Sequence, residues 1–316
     1  PGNSGALNAN ESGSMGEGWS DYLTLFFTQQ STDTANAGRG IGTYALNQAS
    51  TGPGIRTHRY TYDPVTNPLT YADIPTRGVP HAVGTVWATM LWDMQWALTD
   101  GSPLDPALGN VGLGFDADFY GGTGGNNEAL QLVVDGMKLQ PANPTFADAR
   151  DAILLADQIN NGGFNQGTIW QVFARRGLGV NADAGLATST NDGTAAFDFP
   201  LIVHAGNTGG NGMNEGTPDT FELKLNGGDL EVRINGNLSQ TVSYASVTEI
   251  IVNGSSDTDT LTVDQSGGLI DRAITFNGGM GADDTLVHTG DPGVAMDGIY
   301  TTGPQDATGN SGVLSY

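Results

Sequence analysis

The sequence contains no cysteine. That excludes disulfide staples and thiolate metal sites, and it leaves any metal to histidine and carboxylate ligands. Basic residues are scarce: 11 Lys and Arg stand against 34 Asp and Glu, a net charge of −23. Such a surface argues against nucleic-acid binding, which needs cations on the phosphates. It suits a secreted protein, or one that takes up divalent cations. No apolar run approaches the roughly 20 residues of a membrane-spanning helix. Histidine occurs at four positions only, His58, His81, His204 and His288, and no two are four apart. There is no initiator Met and no signal peptide, and the chain opens on PGNSGALNANES. A cut piece or mature fragment of a longer protein is therefore expected.

What is present fits two domains. The chain has 316 residues, 38% hydrophobic, with 5 Trp, 11 Phe and 9 Tyr, enough for a sizeable core. Residues 1–185 carry helix-length periodic segments. From Gly16 to Gln30 the apolar residues Trp19, Tyr22, Leu23, Phe26 and Phe27 fall at helical spacing. The opposite stripe holds Glu17, Ser20, Asp21, Thr24 and Thr28. A second helix reads HAVGTVWATMLWDMQWAL after Pro80, a third NNEALQLVVDGMKL, a fourth TFADARDAILLADQI with Thr145 as N-cap, and a fifth QGTIWQVFARRGLG closed by Gly177. Asp93, Asp135 and Asp151 are expected on solvated helix faces, and Trp87, Trp92 and Trp170 in the core.

After FDFP (197–200) the texture changes. A Gly/Asn/Thr-rich linker is followed by short alternating segments: FELKL, LEVRI, TEIIVNG, DTLTV, AITFNGG and DTLVH, with NGG at 226–228 as a hairpin turn. IIVNGSSDTDTLTV (250–263) aligns with ITFNGGMGADDTLVH (274–288) at an offset of 24 to 25 residues. A repeat of that length indicates β-solenoid coils or a β-sandwich.

Two residue patterns carry possible chemistry. Glu17 and Asp21, in ESGSMGEGWSDY, share one helix face a turn apart. Spacing alone leaves two readings: a solvated acidic face, or a metal ligand backed by a carboxylate that orients a metal-bound histidine. Gly16 and Gly18 would then let another backbone approach. In the tail, NGGMGADDTL (277–286) is close to the Gly/Asp nonapeptide of calcium-binding β-rolls, and NGSSDTDTL (253–261) is a degenerate copy. Asp257, Asp259, Asp283 and Asp284 are the calcium candidates, against a plain Gly/Asp-turn β-domain.

Five segments in order give the first half a resemblance. ALNANESGSMGEGWSDYLTL, GIRTHRYTYDPVTNPLTYADI (54–74), VPHAVGTVWATMLWDMQW (79–96), LQLVVDGMKLQPANPTFADARDAILLAD (130–157) and IWQVFARRGLGVNA (169–182) resemble the fungalysin family of secreted zinc metallopeptidases, relatives of thermolysin. The resemblance implies that Glu17 is a zinc ligand and Asp21 the carboxylate behind a ligating histidine. It further implies that His81 faces the tetrahedral intermediate and that Arg56 holds a substrate carbonyl. The family's H-E-x-x-H signature, which supplies two zinc histidines and the general base, is absent here. In relatives it lies upstream of the glutamate, so the N-terminal half of the peptidase domain is expected to be missing, and the chain alone is expected neither to bind zinc tightly nor to cleave peptides.

The expected architecture is a mainly α-helical, thermolysin-like C-terminal subdomain (1–185), a linker (186–216) and an all-β accessory domain, solenoid-like or sandwich (217–316). The expected function is that of the C-terminal part of a secreted, extracellular zinc metalloendopeptidase hydrolysing protein and peptide substrates, with zinc as cofactor and calcium as a candidate for the tail, no nucleic acid and no membrane span. The alternative is a non-catalytic surface, adhesion or binding protein with a calcium-binding β-tail.

Overall fold

A computed structural model describes residues 5–49, 51–101, 112–205, 217–279, 283–290, 299–302 and 310–315; for the last two segments it describes the backbone. Contacts divide the chain into two units that change over between Phe197 and Asp198.

The first unit is helical. Helix α1 spans Asn10–Phe27 and α2 His81–Asp100; α3 is Gly125–Leu139, α4 Phe146–Asn161 and α5 Gln166–Arg175. Helix α1 starts six residues earlier than periodicity predicts, because its first turns are held by polar groups that hydropathy does not register. The Ala9 amide is satisfied by Ser12 Oγ and Asn143 Oδ1, both at 3.1 Å, and Ser14 Oγ donates to the Asn10 carbonyl at 2.6 Å. Helix α2 is the centre of the unit. It is buried on all sides from Val83 to Thr99, and Thr85, Thr89 and Thr99 survive there by donating to the carbonyl one turn back. Trp87 stands edge-on to Trp19 of α1, with ring centroids 6.1 Å apart at 86°. Such a pair adds about 0.5–1.5 kcal/mol beyond the area it buries. Thr145 caps α4 reciprocally: its hydroxyl accepts from Asp148 N at 3.1 Å, and Asp148 Oδ2 accepts from Thr145 N at 2.8 Å. Gly177, with φ of +81°, turns the chain just after α5.

Asp93 departs from expectation. It is fully buried rather than solvated. Its Oδ2 accepts from Arg175 Nη1 at 2.7 Å and Arg176 Nε at 2.6 Å. Burial pushes its carboxyl up, and the two guanidinium groups oppose that. Trp170 is only partly buried, packed under the Arg150 guanidinium at 4.7 Å.

The second unit is β-rich. The six expected strands form as β2 (Thr220–Asn226), β3 (Asp229–Ile234), β5 (Val247–Asn253), β6 (Thr260–Asp264), β7 (Ile274–Gly279) and β8 (Thr285–Thr289). Four more were not anticipated: β1 (Phe199–His204), β4 (Asn237–Ser243), β9 (Ile299–Thr302) and β10 (Asn310–Ser315). Strand β1 lies inside the segment expected to be linker; of the rest of that segment, 206–216 falls outside the described residues. Among the described residues two five-stranded sheets result, ordered β1-β5-β7-β10-β9 and β4-β3-β2-β6-β8. Strands β1, β5 and β7 run parallel, as do β2, β6 and β8, while β3 and β4 form a hairpin ribbon on β2. Gly227 and Gly228, at φ +66° and +110°, make the expected turn between β2 and β3.

The weak repeat sets the register. Ile250 pairs with Ile274 and Thr260 with Thr285, so each repeat lies directly on the next at the offset seen in the sequence. Inward residues Leu223, Leu261, Val263, Ile250, Val252 and Ile274 are buried, as period-2 alternation over a single apolar layer requires.

Candidate functional site

Glu17, Asp21, Arg56 and His81 meet in one cluster. Helix α1 carries the two carboxylates on successive turns, and α2 begins at His81 beside them. Two glycines set that proximity. A Cβ on Gly18 would stand 2.5 Å from the Gly84 carbonyl oxygen, and one on Gly84 would stand 2.4 Å from the Ser14 carbonyl oxygen. The glycines of the motif were expected to let another backbone approach. Gly18 does so for α2, whereas Gly16 makes only ordinary contact with Leu7.

The polar geometry is closely connected. Arg56 clamps Asp21 with two hydrogen bonds, Nε to Oδ2 at 2.6 Å and Nη2 to Oδ1 at 2.9 Å. The hydroxyl of Tyr60 donates to Asp21 Oδ2 at 2.5 Å. Arg56 Nη2 also lies 3.6 Å from Glu17 Oε2, and His81 Nδ1 is 2.9 Å from the same oxygen. Asp21 and Arg56 are buried, with side chains 6% and 8% exposed, whereas Glu17 and His81 are more open at 37% and 65%. The solvated-face reading fails for Asp21, a buried ion-pair member, and Glu17 is its half-buried neighbour. Hydrogen bonding to Asp21 holds the Arg56 guanidinium above its ordinary pKa, against the opposing effect of burial. The cluster therefore offers a half-buried carboxylate flanked by an imidazole and a permanent cation.

This donor set does not by itself fit a catalytic zinc ion. Such a site takes three protein ligands. Among the described residues no group of three or more His, Asp or Glu side chains is placed to hold a metal.

Sequence reasoning missed Tyr60 and Glu11. Tyr60 is fully buried, and the alternation in RYTYD could have marked it as inward-facing. Glu11, 1% exposed, accepts from the Tyr71 hydroxyl and from the amide of Phe146, the first residue of α4, each at 3.0 Å. Desolvation raises its pKa to about 7 against those two hydrogen bonds. Nothing in its local sequence signals either partner.

In the β unit, Asp219, Asp259 and Asp284 stand in a row, each just ahead of or at the start of β2, β6 and β8. Asp259 Oδ1 accepts from Asp219 N at 2.8 Å, its Oδ2 accepts from Ser255 N, and Asp284 Oδ1 accepts from Asp259 N at 2.9 Å. Two of the calcium candidates are thus bonded to backbone amides of the neighbouring repeat. Asp257 accepts from Ser255 Oγ at 3.5 Å, and Asp283 is exposed.

The first unit has clear relatives. A family profile described as "Fungalysin metallopeptidase (M36)" matches residues 1–182. The chain is 43% identical over 183 residues to "Extracellular metalloproteinase MEP" of Neosartorya fischeri, covering 58% of this chain and 27% of that protein. It is 44% identical over 183 residues to "Extracellular metalloproteinase mep" of Aspergillus fumigatus, with coverage of 58% and 27%. Against "Extracellular metalloproteinase 3" of Trichophyton tonsurans it is 42% identical over 197 residues, covering 60% of this chain and 29% of that protein. The matched part is therefore under a third of these relatives' length. With the profile covering more than half of the chain and the five segments in their expected order, the chain belongs to the fungalysin family of metallopeptidases.

Proposed function

We propose that the whole protein is a secreted, extracellular zinc-dependent endopeptidase acting on proteins and peptides. Residues 1–185 are then the C-terminal part of its peptidase domain, 186–216 a linker and 217–316 a β-rich accessory domain. The observation that carries this reading is the convergence of Glu17, Asp21, Arg56 and His81, up to 64 positions apart, in one hydrogen-bonded cluster. The relatives' names support the class of activity.

In this reading Glu17 is the one zinc ligand this chain contributes. Asp21 Oδ1 takes one donor from Arg56, and a carboxylate oxygen has two lone pairs, so it has capacity to orient a histidine from the missing half. His81 and Arg56 act on the substrate. A ring N–H of His81 donates to the oxyanion as it develops, and the Arg56 guanidinium donates to a substrate carbonyl. The 316-residue chain alone is inactive. Zinc titration and a casein assay with and without EDTA test this; EDTA-sensitive cleavage by the chain would sink it. The reading of the parent fails if the preceding reading frame lacks H-E-x-x-H.

For the tail we favour stacked solenoid coils over a sandwich, on the parallel ladders at repeat offset. The alternative function, a non-catalytic surface or adhesion protein, draws on the size of that β unit. Removing residues 198–316 from the full-length protein separates the two: a peptidase keeps casein cleavage, and an adhesin loses its binding.

A further inference from the structure

Tyr60 sits at a junction that neither the motifs nor the relatives' names explain. Its backbone is tied to Arg39 in both directions, Arg39 N to Tyr60 O at 2.9 Å and Tyr60 N to Arg39 O at 2.8 Å. Its ring is fully buried. Its hydroxyl donates to Asp21 Oδ2 on α1 at 2.5 Å.

A chain of polar contacts follows. It runs from Tyr60 to Asp21, on to Arg56, and past Glu17 to the His81 ring. Both hydrogen bonds of Arg56 end on Asp21, so the direction of the guanidinium follows the plane of the Asp21 carboxylate. Tyr60 is the member held at its backbone and enclosed on every side.

We propose that Tyr60 is a positioning residue: its hydroxyl fixes the carboxylate plane of Asp21 and so aims the Arg56 guanidinium at the space beside Glu17. The functional importance of that aim rests on the peptidase reading of Arg56. The hydrogen-bond relationship does not, so it is tested in the chain itself, without activity. Burial and the Asp21 charge both push the Tyr60 hydroxyl well above its ordinary pKa, so it keeps its proton and remains a donor.

The test is Tyr60→Phe in the 316-residue chain labelled with 15N-arginine, following hydrogen exchange at each Arg Nε–H by NMR. Losing one hydrogen bond to a charged group should speed exchange at Arg56 roughly tenfold, with Arg39 and Arg176 unchanged and the melting temperature nearly so. Asp21→Asn should release Arg56 at least as far. Unaltered exchange at Arg56, or an equal rise at all the arginines, would reduce Tyr60 to packing and overturn the proposal. Should Tyr60→Phe fail to fold, the unsubstituted chain decides. A slowly exchanging, downfield Tyr60 hydroxyl proton close to Arg56 Nε–H upholds the proposal, and its absence overturns it.

Discussion

Gly18 on α1 and Gly84 on α2 face each other backbone to backbone, with each lacking the Cβ that the other's helix would strike. This contact sets how closely Glu17 approaches His81. Gly84→Ala places a methyl group 2.4 Å from the Ser14 carbonyl oxygen. A mid-helix Gly→Ala change gains up to about 1 kcal/mol in propensity, but overpacking of this kind costs about 1–3 kcal/mol and shifts the helices apart. The expected outcome is a melting temperature lower by a few degrees and a lengthened Glu17–His81 contact. A variant as stable as the original would show that the two helices separate freely.

Glu11 confers a pH dependence whose sign follows from its burial. Its folded pKa of about 7 lies above the ordinary 4.5, so the folded state holds the proton more tightly than the unfolded chain. The stabilisation is full below about pH 4.5 and is lost as the pH rises to about 7. The difference corresponds to at most about 3 kcal/mol. Thermal melts of the chain and of Glu11→Gln across pH 4–8 check this. The substituted chain should show a flatter profile in that window, and an identical slope would assign the effect elsewhere.

Asp259 links the starts of β2, β6 and β8: its carboxylate accepts from Asp219 N and Ser255 N, and its own N–H donates to Asp284 Oδ1. Asn in its place can accept at only one atom and turns an NH2 toward either Asp219 N or Ser255 N. A buried donor left without an acceptor costs about 1–3 kcal/mol. Asp259→Asn should therefore lower the melting temperature of the β unit with or without calcium. Were Asp257, Asp259, Asp283 and Asp284 to hold calcium, calorimetric titration would register binding, and the cost of the substitution would appear only when the ion is present.

His81 is expected to matter to turnover rather than to folding, being 65% exposed at the side chain. On the proposed reading, His81→Ala in the full-length protein should lower kcat by about 10²–10³-fold with a small change in KM, the cost of one oxyanion donor. A variant retaining full kcat would remove His81 from the proposed mechanism.

Much of this was legible in the residues. Helices α2 to α5 follow from apolar spacing and from caps at Thr145 and Gly177, and the β register follows from the 24-to-25-residue repeat. Other features were not. The start of α1 depends on Asn143, more than 130 residues away. Strand β1 exists because β5 pairs with it. Asp93 looked solvated, because helical spacing does not reveal that Arg175, the last residue of α5, and Arg176 just after it reach into the core to meet it.

The sequence by itself determined the family, helices α2 to α5 and the strands of the repeat, and it named Glu17, Asp21, Arg56 and His81 as candidates, because these depend on local spacing and on segments kept in order. Only the tertiary structure decided that Asp21 is buried under Arg56 and Tyr60 while Glu17 stays half-buried, that Gly18 serves α2, and that the tail's aspartates bond to neighbouring amides. Those outcomes depend on which distant groups fill the space around a side chain, and burial and hydrogen bonding across helices and sheets are properties of the packed chain.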